Sequence, residues 1–190
     1  MRRAEKDDKP VVVDILANSF KDNKSVNYII PQAGSRKKRL LRLMEYSFDY
    51  CMLFGEIYLS DDKKACALIV LPDKKETNFT SIMLDSKLAL SCIGIFNLLN
   101  VLKRESKIKT LQPKIPMYYL WFIGVQSEDQ HMGRGSSLLG ELIIRSNSMN
   151  RPIYLETSTL NNIPWYQKFG FQIYEELDLG YKLFFLKREN

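Results

Sequence analysis

The chain has 190 residues, 45% of them hydrophobic, which supplies the core of one domain of ordinary size and argues against a disordered or low-complexity protein. Its net charge of +6 and pI of about 9.1 suit an anionic ligand, but no aromatics are interleaved with the basic residues as on a nucleic-acid platform. The single histidine, His131, excludes a histidine-rich metal centre, and the three cysteines, Cys51, Cys66 and Cys92, lie in apolar segments and read as reduced core thiols.

In chain order, residues 1–5 read as a short edge strand. Asp7, Asp8 and Pro10 then mark a helix start, and Val13, Ile15, Leu16 and Phe20 form its buried stripe. Residues 21–31 read as a loop. A second helix over 35–54 carries Leu40, Leu41, Met44 and Phe48 on one face, with Gly55 as its C-cap. The run Arg36-Lys37-Lys38-Arg39 reads as a solvated face of that helix. Residues 56–59 and 65–71, joined by the polar turn 60–64, predict an antiparallel hairpin that stops at Pro72. After a polar loop at 73–79, residues 80–105 predict one or two helices with little polar surface. Such an insertion is either core packing or a lid over a substrate pocket. Its most apolar run, 88–102, contains Asn97 and Asn100 and is too short and polar to span a bilayer. A linker at 106–116 holds Pro113 and Pro116. Met1-Arg2-Arg3 leads straight into charged residues without a signal-peptide pattern, so a cytoplasmic location is expected.

Residues 117–125, MYYLWFIGV, read as a central strand covered on both faces. The loop that follows contains Gln130, His131, Met132, Gly133, Arg134, Gly135 and Ser136. Glycines at 133 and 135 allow unusual backbone dihedrals and close approach of a ligand. A helix opens there, so free amides and the positive end of its dipole make an anion site, most plausibly for phosphate. No lysine follows Gly135, which removes a P-loop, and Leu138 stands where a dinucleotide fingerprint needs its third glycine. The helix at 135–149 has an apolar face of Leu138, Leu139, Leu142 and Ile143. Residues 153–157 predict a short strand parallel to the first, because a helix joins them. A loop at 158–162, helical turns at 163–169 and a hairpin of 171–177 with 181–186 complete one domain.

The spacing Gln130-x-x-Gly133-x-Gly135 after a hydrophobic strand resembles the acetyl-CoA signature of the GNAT superfamily of N-acetyltransferases. A second segment, Leu155-Glu156-Thr157 and then Asn162, Tyr166 and Gly170-Phe171, is similar to that family's other recurring region. The resemblance implies an α/β fold: a mixed, mostly antiparallel sheet flanked by helices, splayed between two parallel strands to admit acetyl-CoA. It implies that Ile123, Gly124 and Val125 line the pantetheine arm, that residues Gln130 to Ser136 hold the pyrophosphate, and that Asn162 and Tyr166 also touch the cofactor. The stretch LETSTLNNIPWYQKFGF looks most like small-molecule amine or antibiotic acetyltransferases.

Acetyl transfer from a thioester to an amine needs a neutral nucleophile, a polarised carbonyl and a proton for the departing thiolate. Tyr166, a phenol of ordinary pKa about 10, is the candidate general acid for a thiolate of pKa about 8.5. Glu156 is the first candidate for the base, and a backbone amide beside Gly124, freed by a bulge or close approach, the candidate donor to the carbonyl. Gly170 and Phe171 read as a helix C-cap and a core aromatic. No serine or cysteine stands in a nucleophile's setting and no metal is called for, so direct attack in a ternary complex is expected. The expected partners are acetyl-CoA and a small-molecule amine, with neither nucleic acid nor membrane, in a monomer or homodimer. The rival reading is a non-catalytic acetyl-CoA sensor or scaffold.

Overall fold

The computed structural model describes residues 1–32, 34–76 and 79–189, with all their side chains except those of Ile95 and Phe96. Thr77 and Asn78, in the loop expected at 73–79, lie outside the described residues. Seven strands form one sheet: β1 (Arg2–Arg3), β2 (Gly55–Leu59), β3 (Ala65–Val70), β4 (Tyr118–Val125), β5 (Ile153–Thr157), β6 (Gln172–Asp178) and β7 (Lys182–Arg188). Their order is β1-β2-β3-β4-β5-β7-β6, and every neighbouring pair is antiparallel except β4 with β5. This is the mixed, mostly antiparallel sheet that the sequence predicts.

Among the described residues seven α-helices cover it: α1 (Lys9–Phe20), α2 (Lys24–Ile29), α3 (Arg36–Phe54), α4 (Phe79–Leu88), α5 (Ile95–Leu111), α6 (Arg134–Ser148) and α7 (Ile163–Gln167). On one face α1 and α3 pack Ile15, Leu16, Met44 and Phe48 against Ile57, Leu59, Cys66 and Leu68. On the other, α6 and α7 bring Leu138, Leu139, Leu142 and Tyr166 onto Ala67, Ile69, Leu120 and Leu155. Each large apolar side chain so buried contributes about 1.5–3 kcal/mol. Among them β3 is buried at every position, which explains its unbroken apolar run. The three cysteines are buried and unbridged, in keeping with core thiols.

Two local readings are corrected. Residues 21–31 are not all loop: Asn23 accepts from the Val26 amide at 3.1 Å and caps the short helix α2. The insertion is helical from Phe79, through a π-helical turn at Ala89–Ile93 and a break at Gly94, on to Leu111. The linker is therefore 112–117, since nothing before Pro113 disfavours helix. Gly55 is the C-cap of α3, as expected, in extended backbone (φ −167°) that also starts β2. Glycine is needed there because a Cβ would run into the Ile69 carbonyl.

Two irregularities in β4 shape the site. Trp121 is an extra residue, for Leu68 pairs with Phe122 and Ile69 with Leu120. The bulge turns Trp121 and Phe122 to the α1–α3 face together, and their rings lie 5.2 Å apart. In addition, β4 and β5 pair only at Tyr118 with Ile153 and Tyr119 with Tyr154, after which they part. The gap between them is the splay.

Candidate active site

At the mouth of the gap, His131 (φ 63°) and Gly133 (φ 81°) take left-handed conformations that turn the chain sharply into α6. The first bond of that helix runs from the Ser137 amide to the Gly133 carbonyl at 2.9 Å. Gly133 is the N-cap and offers no side-chain acceptor, so the amides of Arg134, Gly135 and Ser136 have no partner among the described residues. A Cβ on Gly133 would meet open space, and one on Gly135 would stand 3.4 Å from Val125 Cγ2 and 3.7 Å from Trp165 Cζ2. Both glycines thus leave room for a ligand over bare amides at the positive end of a 15-residue helix.

The side chains around this turn hold it in place. Arg134 pairs with Asp62 and, at 3.0 Å, with buried Asp129, which Lys64 also meets at 3.0 Å. With its guanidinium so engaged, Arg134 offers its backbone amide. Gln130 donates to the Val125 carbonyl at 3.3 Å and ties the loop to the strand. Ser136 accepts from Trp165 Nε1 at 2.9 Å, linking α6 to α7. Met132 is exposed beside them.

Register decides which amides face the gap. Gln126 donates to the Lys64 carbonyl at 2.9 Å, so residues 66 with 124 and 68 with 122 are the hydrogen-bonded pairs of this antiparallel ladder. Ile123 and Val125 then turn their backbone groups toward β5, where no strand meets them. The expectation of a bulge at Gly124 is corrected: the bulge is at Trp121, and Gly124 directs its amide to β3. The close approach is real, since a Cβ on Gly124 would be 3.0 Å from Ser19 Oγ and 3.3 Å from Leu16 Cδ2. Ser19 itself donates to the Val125 carbonyl at 2.9 Å.

Tyr166 lies on the α6 side, its ring buried against Trp165 at 4.7 Å and Phe171 at 5.4 Å. Its hydroxyl makes no hydrogen bond among the described residues, and burial pushes its pKa above the ordinary phenol value, so it carries its proton at neutral pH. Asn162 precedes α7 without a side-chain capping bond and is exposed. Gly170 (φ 83°) is not the C-cap of α7, which is Lys168, but takes a left-handed conformation in the turn that follows it, and Phe171 is 2% exposed, as expected of a core aromatic.

Glu156 lies on the other face. Its Oε1 accepts from Gln112 Nε2 at 2.9 Å and its Oε2 from the Tyr119 hydroxyl. Burial raises its pKa, which the two hydrogen bonds moderate, and the nearby charges of Glu105 and Arg104 act in opposite senses. The sequence reading missed Tyr119, Gln112 and Arg104. Tyr119 alternates with Trp121 on a strand already singled out and was in reach; Gln112 and Arg104 come from the insertion, which carries no motif. Arg104 is buried, donates to the Tyr181 hydroxyl at 3.0 Å, and lies 6.0 Å from the Tyr28 ring. Beside it a cavity of about 310 Å³ is lined by Tyr28, Asn100, Lys103, Arg104, Lys107 and Leu179, among others. No helix among the described residues is long and apolar enough to cross a membrane.

No protein-family profile matches the chain. An uncharacterized N-acetyltransferase of Schizosaccharomyces pombe is 25% identical over 185 residues, spanning 92% of this chain and 74% of the relative. A solved structure from Corynebacterium glutamicum, described as histone acetyltransferase HPA2 and related acetyltransferase, superposes with a TM-score of 0.71 at 21% identity, over 99% of this chain and 94% of that one. A putative GNAT-family acetyltransferase from Desulfovibrio desulfuricans superposes with a TM-score of 0.58 at 15% identity, over 99% and 96%. The splayed mixed sheet, the glycine turn at the head of α6 and these likenesses together give the chain the fold of the GNAT acetyltransferases and support an acetyl-transferring enzyme of that kind.

Proposed function

We propose that the protein transfers the acetyl group of acetyl-CoA to the primary amine of a small molecule, by direct attack within a ternary complex. The observation that carries this reading is the row of unpartnered amides at the head of α6, opening onto the gap between β4 and β5. The amides of residues 134–136 would hold the pyrophosphate, with Gln130, His131 and Met132 shaping the turn. The free edge of β4, with both backbone groups of Ile123 and the amide of Val125, would pair with the pantetheine amides, and Asn162 would close the arm from α7. Acetyl-CoA supplies the activated acyl group, and the chain supplies the proton handling.

Glu156 takes a proton from the ammonium, directly or through Tyr119, so that the amine attacks as a neutral nucleophile. An amide of Ile123 or Val125 donates to the thioester oxygen as negative charge gathers there. Tyr166 gives its proton to the sulfur as the carbon–sulfur bond breaks, and regains one from solvent. The ammonium loses two protons, one to Glu156 before attack and one from the nitrogen as the amide forms; one of them matches the proton the thiol gains, and the other leaves to solvent.

Incubation with acetyl-CoA and a panel of primary amines, read as release of free thiol, tests the proposal. Thiol release that depends on the amine is expected. Acetyl-CoA binding without release for any amine would overturn the reading in favour of a sensor or scaffold.

A further inference from the structure

We propose that the cavity beside Arg104 is the acceptor pocket, and that it selects amines bearing an anionic group, such as a carboxylate, at the far end from the reacting nitrogen. The inference rests on the acetyl-transfer reading above and adds the chemical class of the acceptor.

Position comes first. The cavity, about 310 Å³, is of the size that takes a small ligand, and it lies between α2 (Tyr28), α5 (Asn100 to Lys107) and the turn joining β6 to β7 (Leu179). Those elements cover the face of the sheet on which Glu156 stands. Glu156 pairs with Phe185 across β5 and β7, and Phe185 packs against Ile108 of α5. Arg104 borders the cavity, and its charge is felt by Glu156 and Tyr119. The pocket therefore lies on the face of the sheet that carries the proposed base, opposite the α6 turn.

Charge comes second. Asn100, Lys103, Arg104 and Lys107 recur at three- and four-residue spacing, so one stripe of α5 lines the cavity. Three of the four are cationic. Arg104 is spent on Glu105, Ser25 and the Tyr181 hydroxyl, but Lys103 and Lys107 are exposed and have no ion-pair partner among the described residues. The nearest carboxylate on the helix, Glu105, is the one held by Arg104. An acceptor with its ammonium toward Glu156 would thus place its other end near two uncompensated lysines. A carboxylate there gains two charge-assisted partners, whereas a second ammonium meets like charge.

The test compares three straight-chain acceptors of equal length: aminopentanoate, pentylamine and diaminopentane, with acetyl-CoA and the full chain. Aminopentanoate is expected to have a kcat/KM about tenfold above diaminopentane, the scale that two solvent-screened charges supply, with most of the difference in KM. Replacing both lysines (Lys103→Gln with Lys107→Gln) should bring that ratio toward one, while the thermal shift caused by acetyl-CoA is retained as the check on folding. Equal kcat/KM for the three acceptors, or a ratio unmoved by the double substitution, overturns the inference and leaves the acetyl-transfer reading standing. Absence of turnover with all three, together with no thermal shift from acetyl-CoA, overturns the acetyl-transfer reading and this inference with it.

Discussion

Tyr166 and Glu156 sit on opposite faces of the sheet, and the proposed mechanism sets the reacting centre in the gap between β4 and β5. Their environments separate their proposed roles. Burial keeps Tyr166 protonated, suiting a group that gives a proton. Tyr166→Phe is expected to lower kcat by about 10²-fold or more, with KM for acetyl-CoA largely unchanged, measured by steady-state thiol release. Full turnover in that variant would remove the acid role. Glu156 must be ionised to accept a proton, and burial favours its neutral form, so the competent carboxylate exists only above its raised pKa. Activity should then fall as pH drops through that value, on a limb displaced upward from that of an ordinary glutamate. Glu156→Gln should lower kcat/KM and abolish that limb in a pH–rate profile.

Among the elements, β4 is where local chemistry and function meet. Its bulge at Trp121 and its early parting from β5 leave Ile123 and Val125 with backbone groups that no neighbouring strand uses. Gly55 illustrates the opposite demand, for close approach and not for a ligand. Its missing side chain lets β2 lie against the carbonyl of Ile69. Gly55→Ala is expected to cost at least about 2 kcal/mol, because backbone must move to relieve the clash; chemical denaturation measures it. Elements with strong signals were legible: the hairpin of β2 and β3, the long helices α1, α3 and α6, and the strand–turn–helix at Gly133. Helix α2 was hidden because its six residues carry no apolar period and its start is a single Asn23 cap. The extension of α5 to Leu111 was hidden because its apolar residues past Glu105, Ile108 and Leu111, stand isolated among Ser106, Lys107, Lys109 and Thr110 just before the prolines at 113 and 116.

For the molecule as a whole, the site is assembled from segments distant in sequence, so ligand binding reports on the folded state. Acetyl-CoA at 100 times its dissociation constant should stabilise the protein by about 2.7 kcal/mol, a rise in Tm of about 5–10 °C for a domain of this size. Gly133→Glu should abolish the shift, since it sets a carboxylate over the bare amides and forces a side chain into a left-handed conformation (φ 81°). A shift of equal size in that variant would move the pyrophosphate away from the α6 turn.

Residue order alone determined the local pieces: apolar periods mark helices and strands, and two glycines beside a helix start mark the turn proposed to bind pyrophosphate, because each depends on neighbours within a few residues. The order also placed Tyr166 and Glu156 on segments flanking the splay. Only the tertiary structure decided which β4 amides are free, that the bulge lies at Trp121, and that Gln112 and Tyr119 hold Glu156. Those facts depend on register between strands and on where α5 crosses the sheet. Register and crossing are set by packing between parts of the chain far apart in sequence, and no spacing along the chain encodes them.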